Sequence, residues 1–161
     1  LTRHTSFAPV VDSDTETLIL GSLPGAASLA AGRYYAHPRN QFWRLIGAVI
    51  GADLAGLPYD ERLTMLLHHR IGLWDVIADA ERAGSLDAAI RNHAANDLQK
   101  LVARLPALRT IGFNGGTASK IGRAQFGPLA ERYRLVTLPS SSPAHAARSF
   151  EGKLAIWRQL V

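Results

Sequence analysis

Thr17-Leu18-Ile19-Leu20-Gly21-Ser22-Leu23-Pro24-Gly25 is an apolar, partly β-branched run that ends in a glycine- and proline-bearing loop. That pattern belongs to a buried strand feeding a tight turn. The same grammar recurs where Arg109-Thr110-Ile111-Gly112-Phe113 runs into Asn114-Gly115-Gly116, and where Arg134-Leu135-Val136-Thr137-Leu138 runs into Pro139-Ser140-Ser141-Ser142-Pro143. A fourth, weaker strand signal is Ile71-Gly72-Leu73-Trp74-Asp75-Val76. Helical spacing fills the intervals. One helix follows Asn40, with Phe42, Trp43, Leu45, Ile46, Val49 and Ile50 on its apolar face, and another runs from Pro58 to about His69. Ser85 reads as an N-cap for Leu86, Ala89 and Ile90, and Asn96 as one for Leu98, Leu101, Val102 and Leu105. A shorter helix is expected from Gly116 through Ile121. The C-terminal helix carries Phe150, Leu154, Trp157 and Val161 on one stripe, which reads as core. Strands alternating with helices place the chain in the α/β class, with a parallel sheet covered on both faces. Residues 1–16 read as an irregular lead-in. Ligands in such folds bind beyond the carboxyl ends of the strands, so the three loops should converge there.

The 161 residues, 47% of them hydrophobic, fit one domain spanning residues 1–161. No apolar run approaches the roughly 20 residues that span a bilayer, and the start Leu1-Thr2-Arg3-His4 does not resemble a signal peptide. A soluble, cytoplasmic protein is expected, with no membrane partner. The absence of cysteine excludes disulfides, thiolate metal sites and cysteine nucleophiles. Fifteen of the 18 cations are arginines spread along the chain, and the net charge is +5, which suits a polyanionic partner through counterion release. His68 and His69 are adjacent and point apart on a helix, so no metal site is expected. Asp75 and Asp79 lie in or near an expected strand end, where they could do acid/base work, but they read first as cap or surface carboxylates. A Ser-His hydrolase using Ser22 or Ser141 with His145 lacks the G-x-S-x-G elbow that would support it.

Four segments carry chemistry, each with a structural alternative. Tyr34-Tyr35-Ala36-His37-Pro38-Arg39-Asn40-Gln41-Phe42-Trp43 crowds aromatics, cations and two amides into ten residues with no carboxylate. Aromatic faces stack on bases, Arg33 and Arg39 meet phosphates, and an amide pairs with a base edge or a water. Asn40 also stands where a helix N-cap belongs. Gly21 to Gly25 lets backbone approach a ligand closely, or forms a plain turn; it matches neither the phosphate-binding nor the dinucleotide-binding glycine pattern. Pro139 to His145 presents three hydroxyls and an imidazole between two prolines, which suits phosphate gripping. Ser142 could equally cap a helix whose first residue is Pro143. Asn114 offers a donor and an acceptor where a ligand would arrive, or serves as a turn residue.

Taken in order, Gly21-Ser22-Leu23-Pro24-Gly25, Ser28-Leu29, Tyr34-Tyr35 through Pro38, Asn40, Phe42 and Trp43 resemble the uracil-DNA glycosylase superfamily. The match is nearest to its hypoxanthine-DNA (deoxyinosine) glycosylase branch, family 6. Gly72 to Val76, Gly84-Ser85-Leu86-Asp87 with Ile90, Phe113-Asn114-Gly115 and Leu138 to Ala144 extend the resemblance over about residues 7–160.

The resemblance implies a three-layer α/β/α sandwich with a central four-stranded parallel sheet. It implies a monofunctional DNA glycosylase that hydrolyses the N-glycosidic bond of a deaminated base, hypoxanthine or uracil, and leaves an abasic site, with no cofactor. The partner is DNA containing deaminated bases, and a monomer is expected. Asn40 matches the position of the branch's catalytic role, with Ser142 and His145 from the second loop as its companions. Gly21, Ser22, Leu23, Tyr35, Phe42, Asn114, Ser141 and Pro143 would bind substrate, with Tyr35 and Phe42 stacking on the extruded base.

Departures from the superfamily bear on the substrate. Leu23 stands where the uracil-specific enzymes carry a water-activating Asp and the mismatch-specific branch an Asn. Gly25 replaces a pocket-narrowing Tyr. Ser141 and His145 stand where the hypoxanthine branch is expected to carry Thr and Asn. A non-catalytic binder of damaged or single-stranded DNA would use the same residues without releasing a base.

Overall fold

The computed structural model describes residues 2–161. The first half of the chain forms β1 (Arg3–Thr5), β2 (Thr17–Gly21), α1 (Ala26–Ala31), α2 (Phe42–Ile50), α3 (Tyr59–His68) and β3 (Ile71–Asp75). There follow β4 (Ile77–Glu81), β5 (Arg91–Ala95), α4 (Leu98–Val102), β6 (Thr110–Asn114), α5 (Gly116–Phe126), β7 (Arg134–Leu138) and α6 (Phe150–Trp157). Four strands build a parallel sheet in the order β3-β2-β6-β7, with Leu18 level with both Gly72 and Ile111.

Side-chain alternation along β2 creates two cores. Leu18 and Leu20 pack with Leu98, Leu101, Ala118 and Phe126 of α4 and α5. Ile19 points the other way, into Phe42, Trp43, Leu45, Leu66 and Trp157 of α2, α3 and α6. A strand buried on both faces needs an unbroken apolar run, which is what residues 18–20 supply. Each fully buried side chain of this size contributes about 1.5–3 kcal/mol. The arrangement is the α/β/α sandwich expected from the sequence. Helix α5 lies so close to the sheet that a β-carbon on Gly122 would stand 2.3 Å from Phe113 Cε1.

Several local expectations are corrected. The lead-in holds β1, which pairs antiparallel with β4; β4 in turn pairs antiparallel with β5, making a second, three-stranded sheet. No α-helix follows Ser85. Asp87–Ala89 form one 3-10 turn before β5, because the chain there joins the β4 ladder. Ser85 does cap a helix, though a distant one: its Oγ accepts from Ala26 N at the start of α1. Asp97, not Asn96, caps α4, accepting from Lys100 N at 3.0 Å. Helix α5 continues past Ile121 to Phe126. Helix α6 stops at Trp157, so Val161 falls off the stripe and is 70% exposed, while Leu160 is buried instead. No helix among the described residues is long and apolar enough to cross a membrane.

Candidate active site

The carboxyl ends of the four parallel strands present Asp75, Gly21, Asn114 and the loop after Leu138, in that spatial order. A cleft of about 640 Å³ opens above them. It is lined by Gly21, Ser22, Leu23, Tyr35, Asn40, Asn114, Ser141, Ser142, Pro143 and His145, and also by His37, Asp75, Ser85 and Asp87. All the anticipated site residues therefore meet there except Phe42.

Phe42 is fully buried. It stacks beneath Tyr35 with ring centroids 3.9 Å apart and planes 12° from parallel, and it meets Trp43 and Trp157 edge-on. The expectation that Phe42 touches a base is corrected accordingly: Phe42 covers one face of Tyr35, and Tyr35 lines the cleft. The Tyr35 backbone is held at φ +53, a region an aromatic residue enters only when its surroundings fix it. Those surroundings are visible on both sides. Tyr34 N donates to the Tyr59 hydroxyl and the Tyr34 hydroxyl to Ala8 O, while Ala36 N donates to Ser28 Oγ. Burial and the neighbouring Asp75 carboxyl raise the Tyr35 phenol, keeping it protonated.

The N-cap of α2 is Gln41, one residue later than expected, and Asn40 supports the helix from just outside it: its Oδ1 accepts from Phe42 N at 2.9 Å, which satisfies the first amide of α2, and the residue also lines the cleft. An amide oxygen has two lone pairs, so one remains after this bond. The next residue ties this corner to the second loop, since Gln41 N donates to Ser141 O.

Asn114 is buried and doubly bonded to that loop: its Nδ2 donates to Ser141 Oγ and its Oδ1 accepts from Ser141 N, both at 2.9 Å. One amide hydrogen and one lone pair remain. Ser142 caps no helix. Its Oγ accepts from Ala144 N and its carbonyl from His145 N, closing a single turn that carries the imidazole to the rim. Neither Ser22 nor Ser141 is hydrogen-bonded to a histidine among the described residues: Ser22 Oγ donates to Asp87 Oδ1 at 2.6 Å, and Ser141 faces Asn114. The geometry thus contains no Ser-His pair.

The other side of the cleft is ionisable. Arg82 is 1% exposed and holds the first loop from below, donating to the carbonyls of Leu23, Pro24 and Gly84. Burial lowers its pKa, opposed by Asp87 and Asp75. Asp75 departs from the sequence reading, being 3% exposed at the cleft floor rather than a cap or surface group. Burial, then the Asp87 charge, pushes its carboxyl up to about 7 against the pull of Arg82. Asp79 is the surface carboxylate expected, paired with Arg3. A β-carbon on Gly21 would stand 2.6 Å from Asp75 Oδ1 and 3.1 Å from the Tyr35 hydroxyl, so only glycine leaves this floor open. The signal that could have identified Asp75 was its place at the carboxyl end of a sheet strand. No cluster of metal-binding side chains occurs among the described residues.

Comparison with known proteins converges on one family. The sequence model of the uracil DNA glycosylase superfamily matches residues 8–161. The chain is 40% identical over 157 residues to a Hypoxanthine DNA glycosylase of Methanosarcina barkeri (strain Fusaro / DSM 804), covering 98% of this chain and 97% of the relative. It is 43% identical over 141 residues to a Hypoxanthine DNA glycosylase of Methanosarcina acetivorans, covering 86% of each. A solution NMR structure of a Methanosarcina acetivorans protein superposes with a TM-score of 0.83 at 40% identity, covering 99% of both chains.

Proposed function

The chain belongs to the uracil DNA glycosylase superfamily and is a DNA glycosylase acting on deaminated bases, and from that premise we propose hypoxanthine as its base and Asn40 as the residue that orients the attacking water. The observation that carries the assignment is the convergence of Asn40, Tyr35, Asn114, Ser142 and His145 on one cleft of about 640 Å³. Two relatives named for hypoxanthine support the choice of base. So does Gly25, which lines the cleft and leaves its wall without a side chain.

The chemistry follows from the substrate. A base inside a duplex is out of reach, so the nucleotide must swing out, at a cost of roughly a few kcal/mol that mispairing reduces. Breaking the N-glycosidic bond builds positive charge on the sugar and negative charge on the departing base, as in other glycosyl transfers. The free face of Tyr35 stacks on the extruded base. Asn114 and the backbone near Ser22 and Leu23 meet its edge. Asn40 Oδ1, with one lone pair left after its bond to α2, holds a water against the sugar. An amide is no base at neutral pH, so its contribution is position, and water suffices once the sugar cation has largely formed. Ser141, Ser142 and Pro143 grip the phosphodiester, with His145 at the rim beside a phosphate or the leaving base. The reading extends to one domain, residues 1–161, acting in the cytoplasm; one flipped nucleotide fills one cleft, so a monomer suffices.

The test is incubation of the purified protein with deoxyinosine- and deoxyuridine-containing DNA, single- and double-stranded, followed by alkaline cleavage. Hypoxanthine release faster than uracil release is expected. Tight, salt-sensitive binding with no base released from either substrate would mark a binding module instead.

A further inference from the structure

Asp75 takes no part in the chemistry above, yet it is the most unusual group in the cleft. It ends β3 beside the end of β2, it is 3% exposed, and its Oδ2 is buried with no hydrogen-bond partner. An unpartnered buried carboxyl oxygen is destabilising, the more so if charged, so its presence calls for a partner that arrives. Its Oδ1 and the Tyr35 hydroxyl converge above Gly21 at the cleft floor.

We propose that Asp75 is a base-reading residue, holding a proton in the free enzyme and donating it in a hydrogen bond to the carbonyl oxygen that deamination places on the base. The inference rests on reading the cleft as the pocket for a flipped base. Deamination replaces an exocyclic amino group, a donor, with a carbonyl, an acceptor. A neutral carboxyl at the floor satisfies the carbonyl. An ionised carboxylate can only accept, which would favour the amino group of the undamaged base. The same hydrogen bond strengthens as the C1′–N bond breaks, because the bonding pair leaves with the base and its negative charge spreads onto that oxygen. An ionised Asp75 would repel that charge.

The groups facing Asp75 make the neutral form attainable. Asp87, beyond β4, adds a second negative charge and raises the carboxyl, together with burial, to about 7; Arg82 opposes them. Tyr34 and Tyr35, on the loop before α2, are themselves raised, by burial first and then by Asp75, and stay neutral.

The experiment is single-turnover excision from a deoxyinosine duplex between pH 5.5 and 8.5 by the wild type, Asp75→Asn and Asp75→Ala, with thermal melting of each protein as the check on folding. Asparagine keeps a donor of the same shape and cannot titrate. The wild-type rate is expected to fall above pH 7 with a limiting slope of minus one. Asp75→Asn should start about threefold lower at pH 6 and lose that alkaline fall, and Asp75→Ala should be about five- to tenfold lower and equally flat, the effect of one lost hydrogen bond. A wild-type rate that is flat or rises with pH, or a folded Asp75→Ala that matches the wild type, overturns the assignment of Asp75 alone. A wild type that releases neither hypoxanthine nor uracil overturns the glycosylase reading and this inference with it.

Discussion

On the β2–β3 side of the cleft the polar groups are ionisable and imperfectly matched: Asp75 has an unpartnered oxygen, Asp87 takes the Ser22 hydroxyl, and Arg82 is buried against loop carbonyls. On the β6–β7 side the buried polar groups are amides and hydroxyls and are paired, Asn114 exchanging two hydrogen bonds with Ser141, whose carbonyl receives Gln41 N beside Asn40. Paired neutral groups fix geometry independently of pH. Unpaired ionisable groups hold a charge state in reserve, at a cost to stability. The roles proposed above divide along the same line: the water and the phosphate fall to the paired side, and the base lies between Asn114 on that side and Asp75 on the ionisable one.

Asn114→Ala attacks the paired wall where it is most tightly bonded. It leaves a buried Ser141 amide and hydroxyl unpartnered, so a loss of roughly 2–4 kcal/mol is expected in denaturant unfolding. Base excision should fall alongside, with no change in the shape of its pH profile.

Asp75→Asn attacks the opposite wall and should act in the other direction on stability. The folded-state carboxyl is raised to about 7, above its unfolded value near 3.8, so the folded protein holds a proton that the unfolded chain releases. Wild-type stability therefore declines as pH rises from about 4 to 7 and levels off above that. The variant escapes the decline. It should melt with the wild type near pH 4 and exceed it by on the order of a few kcal/mol at pH 8. Equal melting at both pH values would mean that Asp75 is not held neutral by its surroundings.

Ser22→Ala is the mildest of the three. It removes the 2.6 Å bond to Asp87, and about 1 kcal/mol of stability should go with it, read by thermal melting at pH 7.

How much of this was legible in the sequence differs between the same regions. The four parallel strands announce themselves because each is a short apolar run ending in a turn, and burial on both faces leaves no polar interruption to confuse. Strand β5 gives no such sign: Arg91–Ala95 are exposed at every residue, and the ladder to β4 is irregular, so no alternation marks it. Ser85 and Asn96 carry genuine local cap chemistry, but tertiary contacts take them elsewhere. Ser85 reaches Ala26, and Asn96 Nδ2 donates to Asp75 O and Ile77 O at the junction of the two sheets. Within the site, small polar residues on loops at strand ends were readable. Phe42 was not, because whether an aromatic faces the ligand or its neighbour depends on the unusual Tyr35 backbone. Asp75 was readable as a strand-end carboxylate but not as a buried one, because the fold brings Tyr35, Arg82 and Asp87 around it.

The claim on which the paired side depends is that Asn40 holds the attacking water while also supporting α2. Single-turnover release of hypoxanthine from a deoxyinosine duplex by Asn40→Ala, beside a wild type of comparable melting temperature, tests it most directly. Loss of the water's position should slow release at least about 100-fold with DNA binding retained. A folded Asn40→Ala that releases hypoxanthine at the wild-type rate would reduce Asn40 to a support for α2 and contradict the account.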